Sequence, residues 1–495
     1  MSKRVIFLSL LVLVLVFALA ACGGEEPTAE PAVEQPAAEQ PAAEEPAAEE
    51  PAVEEPVVEL FGDPLRGGRL YDKWWKVTGA DAPEADHPLW VTQTNNTRSG
   101  KDTWRCKECH GWDYKGVDGA YGSGSHMTGF TGIIQLAGTD PNEILAMLQG
   151  STNPDHDFSP YMDEQALTDL ALFISEELAD MSVYTNDDKT PTSSDVALGE
   201  DLFQDCADCH GPEGLARNFH KTVTEPEYIG GLSAGNPWEF MHKVRVGQPG
   251  TDMMSAVDAG WSDEEIAALL AYAQTLPEFP VVSSGGLLYD KWWKAMGIDA
   301  PEGDMPLWAT QDTNTRSGED TWRCKECHGW DYKGVDGAYG SGSHMTGFPG
   351  IFDAQSMSTD ELLGWLNGTA NPDHDFSAYM DESVMQMMVA FIQNGLNDVA
   401  PYINADKSVN GDPDAGEALY EECAECHGDD GKAIMFGDES DPEYVGTIAN
   451  DNPWEFLHKA TNGQPATHMI HGREMGWSIE DLINILSYAQ TLPTE

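Results

Sequence analysis

Basic residues are scarce: 26 Lys and Arg stand against 85 Asp and Glu in 495 residues, a formal charge of −59. A chain so acidic repels nucleic acid and anionic headgroups, so no nucleic-acid partner is expected. Alternating runs rich in Val, Ile and Thr are missing, which excludes a sheet-based core and leaves a mainly α fold. Long apolar stretches are missing too, with one exception between Val5 and Ala21. Spare cysteine is absent: eight of the nine cysteines fall in four Cys-x-x-Cys-His units and the ninth is Cys22. None remains for a disulfide or a thiolate nucleophile.

The exceptional apolar run follows Lys3 and Arg4 and has the form of an export signal. Its end, Leu19-Ala20-Ala21-Cys22-Gly23, resembles the bacterial lipoprotein signal, which implies cleavage after residue 21 and lipidation of Cys22. An uncleaved transmembrane anchor is the alternative. Either way an extracytoplasmic location at a membrane surface is expected. Residues 22–66 read as a disordered tether. From Pro31 a proline recurs every five residues, and residues 25–59 hold twelve glutamates without a base. That composition stays extended and reaches on the order of 100 Å. With signal and tether set aside, −49 remains on residues 60–495. Such a surface serves solubility and, more sharply, docking of a basic partner.

The remainder is a tandem repeat with an offset of 218 residues. From Asn96 to Phe130, 34 of 35 residues equal those from Asn314 to Phe348, whereas Asp163 to Ala179 shares 5 of 17 with its counterpart. So uneven a likeness means that the first segment is held fixed. Each repeat divides again, giving modules at 67–182, 183–282, 283–400 and 401–495. All four open with Gly-x-x-Leu-aromatic, at Gly67, Gly199, Gly285 and Gly416. Modules one and three then carry an insertion before their first cysteine. Each module closes with a helix, clearest in "SDEEIAALLAYAQTLP" from Ser262, with its Ser cap, acidic first turn and apolar stripe.

In Cys-x-x-Cys-His, two thiols one helical turn apart reach the two vinyl groups of a haem, and the following histidine turns beneath the ring to bind iron. The pairs are Cys106 and Cys109, Cys206 and Cys209, Cys324 and Cys327, and Cys423 and Cys426. Four copies in an exported chain disfavour a zinc or thioredoxin-like reading. Here the chain resembles the class I cytochrome c family, nearly end to end in modules two and four. The resemblance implies four cytochrome c-like haem domains in two dihaem repeats, four covalent haems c, and His110, His210, His328 and His427 as proximal iron ligands.

The distal ligands are less direct. "GQPGTDMMSAVDAGWS" aligns with "GQPATHMIHGREMGWS", so Met253 pairs with Met469, 43 and 42 residues beyond their proximal histidines. His242 and His458 are rivals, although a locally hydrogen-bonded helix histidine is their expected fate. Modules one and three offer His156 and His374, 46 residues on, or Met162 and Met380, 52 residues on and in the first turn of the closing helix if Ser159 and Ser377 cap it. Histidine is favoured. His126 and His344 rank third, in a Gly-rich loop expected to wrap the haem edge. His87 is replaced by Met305, so no shared role is assigned. Trp104, Trp112 and Tyr114 are expected to pack against haem rather than relay electrons.

Two strong axial ligands per iron leave no open position, so the expected function is electron transfer between a redox donor and acceptor, with membrane attachment through the lipid. The alternative is a multihaem oxidoreductase with one open haem, of the peroxidase or sulfur-compound type. Against it, this chain has no cysteine to spare as an axial ligand.

Overall fold

The computed structural model describes residues 59–438 and 440–495; the predicted signal, Cys22 and nearly all of the tether lie outside them. Among the described residues there are helices and isolated bridges but no strand, as the missing alternation requires. Module one holds α1 (Pro64–Thr78), α2 (Cys106–His110), α3 (Pro141–Leu148) and α4 (Glu164–Leu172). Module two holds α5 (Val196–His210), α6 (Ile229–Gly235), α7 (Pro237–Val246) and α8 (Asp263–Ala273). Module three takes α9 (Val281–Met296), α10 (Cys324–His328), α11 (Thr359–Leu366) and α12 (Glu382–Asn394). Module four takes α13 (Pro413–His427), α14 (Val445–Asp451), α15 (Pro453–Asn462) and α16 (Ile479–Ala489).

The recurring Gly-x-x-Leu-aromatic signature has a steric cause. Opening and closing helices of each module cross backbone to backbone at the glycine. A Cβ there would sit 2.0 Å from the Asp169 carbonyl oxygen at Gly67, 2.1 Å from that of Ala268 at Gly199, 2.2 Å from that of Met387 at Gly285 and 1.9 Å from that of Asn484 at Gly416. The aromatic residue four positions on, Tyr71, Phe203, Tyr289 or Tyr420, is buried under the crossing. In modules two and four the opening helix runs on into Cys-x-x-Cys-His. In modules one and three the insertion intervenes, and the attachment helix is a separate turn tied back by side chains. There Tyr71 Oη donates to Gly111 O at 2.6 Å, and Tyr289 Oη to Gly329 O at 2.6 Å.

The closing helices are capped as their sequences dictate at Ser262 and Ser478, where capping boxes form with Glu265 and Asp481. In modules one and three the expected Ser159 and Ser377 caps are not used. Asp163 and Asp381 cap instead, accepting from Ala166 N at 2.8 Å and Val384 N at 3.0 Å. A carboxylate at a helix N-terminus gains from the dipole as well as the hydrogen bond. Met162 and Met380 therefore precede the helix and are buried in the apolar core.

Modules one and two share one continuous apolar core, whereas three and four keep separate clusters. Buried polar contacts join the modules of each repeat. His242 on α7, fully buried, meets Tyr114 Oη through Nδ1 at 2.8 Å and Gly68 O through Nε2 at 3.1 Å. His458 repeats this with Tyr332 at 2.8 Å and Gly286 at 3.0 Å. Beside each lies a buried carboxylate: Asp72 takes Lys243 Nζ at 3.0 Å and the Arg105 guanidinium, and Asp290 takes Lys459 at 2.9 Å and Arg323.

Adding one methyl group at a crossing should be costly. Gly199→Ala is expected to destabilise module two by about 1–3 kcal/mol, because a backbone cannot yield as a side chain does. Gly231→Ala on α6, whose Cβ would meet nothing closer than 3.8 Å, should leave stability unchanged or slightly raised. Denaturant titrations followed by circular dichroism compare the two.

Candidate haem centres

The helical turn α2 presents Cys106, Cys109 and His110 to a cleft, while Lys107 and Glu108 point the other way and are buried. The cleft is also lined by Trp104, Phe130 and His156, and its free space, open mouth included, is about 600 Å³. His110 Nδ1 is held by Thr131 O at 2.8 Å, and His328 Nδ1 by Pro349 O at 2.7 Å. Fixing Nδ1 on a backbone carbonyl selects the tautomer and aims Nε2 outward, the usual arrangement behind a metal-ligating histidine.

Facing each proximal ring is a second imidazole. The His110 and His156 ring centroids are 6.2 Å apart at an interplanar angle of 74°, and those of His328 and His374 are 6.3 Å apart at 66°. His374 Nδ1 is in turn held by Trp365 O at 2.9 Å, and the His156 ring has a hydrogen bond to the Met147 backbone. An imidazole nitrogen stands about 2.0 Å from a first-row metal and about 1.2 Å from its own ring centre, so two rings flanking one ion are about 6.4 Å apart. The spacing thus fits a single iron between them. Burial pushes His110 and His328 down to about 4 against the opposing pull of their carbonyl partners, so both are neutral at pH 7, as a ligand must be.

All eight described cysteines are free. Burial raises the Cys106, Cys206, Cys324 and Cys423 thiols to about 12. That is opposite to the thiolate stabilisation of a thioredoxin-like redox Cys-x-x-Cys site. With both thiols of a unit beside the cleft, the residues of module one fit a covalently held haem.

In modules two and four His210 packs near Phe219 and His427 near Phe436, ring centroids 5.9 and 5.6 Å apart. Burial lowers His210 to about 4 and lowers His427 too. Met253 and Met469 are half-buried in matching turns, their N–H groups donating to Thr251 Oγ1 at 3.3 Å and Thr467 Oγ1 at 3.1 Å. The rivals His242 and His458 have both ring nitrogens engaged between modules, which removes them as ligands. Their bonds are also not local, as the sequence had led us to expect, but span more than 120 residues. His126 and His344 stack on Tyr121 and Tyr339 at 5.0 and 4.9 Å.

Two further placements differ from expectation. Trp104 lines the cleft, but Trp112 and Tyr114 sit at the joint between modules. Trp112 is surrounded there by Lys107 at 5.1 Å, Lys243 at 5.5 Å and Arg105 at 5.9 Å from its ring. His87, to which no role was assigned, is buried in the module-one cleft with its ring centroid 6.3 Å from that of His156. Its replacement by Met305 hid it from comparison of the repeats. Met305 is just as buried, and the two backbones are held alike, with N–H donating to Thr103 Oγ1 at 2.8 Å or Thr321 Oγ1 at 2.9 Å.

Comparison with known proteins bears on the class. Residues 194–272 match the family model described as cytochrome C oxidase, cbb3-type, subunit III. The matched span holds the second Cys-x-x-Cys-His unit and Met253, and it supports a c-type cytochrome with covalent haem c. No curated protein matches the chain. Among solved structures, a thiosulfate dehydrogenase from Marichromatium purpuratum is 18% identical over 78% of this chain and 86% of its own. Its TM-score of 0.19 is too low to carry an argument.

His242→Leu separates a structural histidine from a ligand. It removes the His242 bonds to Tyr114 Oη and Gly68 O while Tyr114 keeps its bond to Arg245, so the first repeat should lose about 1–2 kcal/mol. The electron paramagnetic resonance spectrum of the oxidised holoprotein should gain no high-spin signal. Calorimetry and spectroscopy on one sample check both outcomes.

Proposed function

We propose that the chain is an extracytoplasmic, membrane-anchored multihaem cytochrome c that carries electrons between redox proteins through four covalent haems, one per module. The observation that carries this reading is the pair of imidazole pairs, His110 with His156 and His328 with His374, spaced alike in both repeats and each steadied by backbone carbonyls. In modules two and four we assign His210 with Met253, and His427 with Met469, as the corresponding pairs on their matching spacing in the sequence. Met162 and Met380, buried in the core, fill space instead.

Each haem, when bound, supplies a one-electron iron couple. The chain's own residues do the rest. Cys106, Cys109, His110 and His156, and their counterparts in the other modules, would hold it, and the aromatic walls of the cleft would keep water away. Held in this way, the group would offer no position to a substrate, and electron transfer would require no bond to be made or broken. Thioether favours Fe(II) more than imidazole does, so modules two and four are the higher-potential pair.

The test is mutation of one distal candidate at a time. His156→Ala should turn one of the four haems high-spin with Met162 intact, and Met162→Ala should leave all four low-spin, both read by electron paramagnetic resonance. The reverse result would transfer the axial role to methionine.

A second reading, an oxidoreductase of the peroxidase or sulfur-compound type with one open haem, draws on His87. This third imidazole gives the module-one cleft a polar group that Met305 denies to module three. High-spin iron in the unmutated protein would favour it.

Attachment to the membrane is assigned to Cys22. Acyl chains on that residue would hold the protein at the membrane surface, and the Pro and Glu-rich tether would set its reach. Cys22→Ala should abolish incorporation of labelled fatty acid and release the protein from membranes on fractionation; label on the variant equal to that on the parent would refute the anchor.

A further inference from the structure

The two repeats are not equally covered. In the first, the loop after α5 is capped by module four. His471 N–H donates to Ala216 O at 2.9 Å, His468 Nδ1 lies 2.9 Å from Asn218 O, and Arg217 pairs with Glu425 at 2.9 Å. The matching loop of module four follows α13. Counted from the attachment histidine, Arg217, Asn218 and Phe219 correspond to Ile434, Met435 and Phe436. These three consecutive side chains are 41%, 43% and 44% exposed. The substitution runs against burial: the buried position carries Asn218, and the wet one carries Met435. Hydrophobic cost alone would place them the other way round, so a partner is needed to cover the second loop as module four covers the first.

The loop's surroundings identify that partner's chemistry. Phe436 packs on His427, and Cys426 beside it is exposed, so the apolar trio borders the fourth attachment site. Glu425, Asp429, Asp430, Asp438 and Asp441 are exposed around it. Phe436 N–H donates to Glu443 O at 2.8 Å, and Asp438 bridges to Asp441, which fixes the acidic turn against the trio. The one cation within the loop, Lys432, is turned toward the chain terminus, where it donates to Glu495 O. An apolar centre with an acidic rim has the anatomy of a specific interface, the rim speeding encounter and the centre holding the complex.

We propose that Ile434, Met435 and Phe436 form the docking surface for a basic redox protein, one whose apolar contact patch is ringed by lysine and arginine. A second copy of this chain is the wrong occupant, since it carries −59 itself and would meet acid with acid. The proposal rests on the electron-carrier reading, and it assigns the exchange with that partner to module four rather than to the three modules whose corresponding loops differ or are covered.

The experiment uses the full haem-loaded chain and a lysine-rich monohaem cytochrome c as probe, with binding measured at about 20 and about 200 mM salt, either side of strong screening. The parent is expected to bind and to weaken as salt rises. The double substitution Ile434→Gln with Met435→Gln should weaken binding about tenfold at low salt, chiefly through faster dissociation. Val281→Gln, at an exposed apolar position on α9, should bind as the parent does. The haem absorption spectrum and redox titration of each variant should match the parent, which shows that folding is intact. Equal affinity of the double variant and the parent, or parent binding that ignores salt, overturns the docking surface while leaving the carrier reading in place. Concentration-dependent self-association that the double substitution abolishes also overturns it, by giving the site to a second copy. Haems in the parent that fail to cycle reversibly remove the carrier reading itself, and the proposal with it.

Discussion

The crossing of opening and closing helix at a glycine is the constraint on which the rest of each module depends. Two backbones approach so closely that no side chain can begin between them, and this happens at Gly67, Gly199, Gly285 and Gly416 alike. Around that contact the buried aromatic residue, the attachment turn and the closing helix take fixed relative positions. In modules one and three the tyrosine hydroxyl carries the constraint onward to Gly111 and Gly329, just past the attachment histidines. An insertion of 32 residues can therefore intervene without loosening the site.

The joint between the modules of each repeat is built differently, from buried polar groups rather than from apolar area alone. Asp72 is buried with Lys243 and Arg105, and this pairing holds its carboxyl well below the usual carboxylate range in spite of desolvation. Buried ion pairs contribute little net stability, because desolvation offsets most of the attraction, but an unpaired member is strongly penalised. Such a joint admits one register only. His242 and Tyr114, and His458 and Tyr332, act in the same sense: each leaves a buried polar atom stranded if the modules shift.

This double duty accounts for the near-identity of residues 96–130 and 314–348. One face of the attachment helix carries the cysteines and histidine toward the cleft, and the other buries Lys107 and Glu108 beside Trp112 at the joint. Scarcely a position in between is free to vary. The closing helices α4 and α12 answer mainly to a packing requirement, which many apolar combinations meet, and they have diverged accordingly, α4 alone adding a buried Asp169 paired with Arg66.

Composition and spacing alone determined the mainly α class, the four Cys-x-x-Cys-His units, the repeat and the glycine-opened helices. Apart from the repeat, which comparison of the chain with itself shows, each of these is a local pattern, with residues a few positions apart on one turn or one helix face. The caps at Ser262 and Ser478 were legible for the same reason, whereas Ser159 and Ser377 were misleading because a stronger acceptor stood four residues on. Tertiary structure alone decided which second imidazole faces which, that His242 belongs to a joint and not to an iron, that Trp112 lies away from the cleft, and that His87 lies within it. Those facts depend on contacts between residues 40 to 180 positions apart, where chain direction after several turns outweighs any local preference, and no spacing rule survives that many changes of direction.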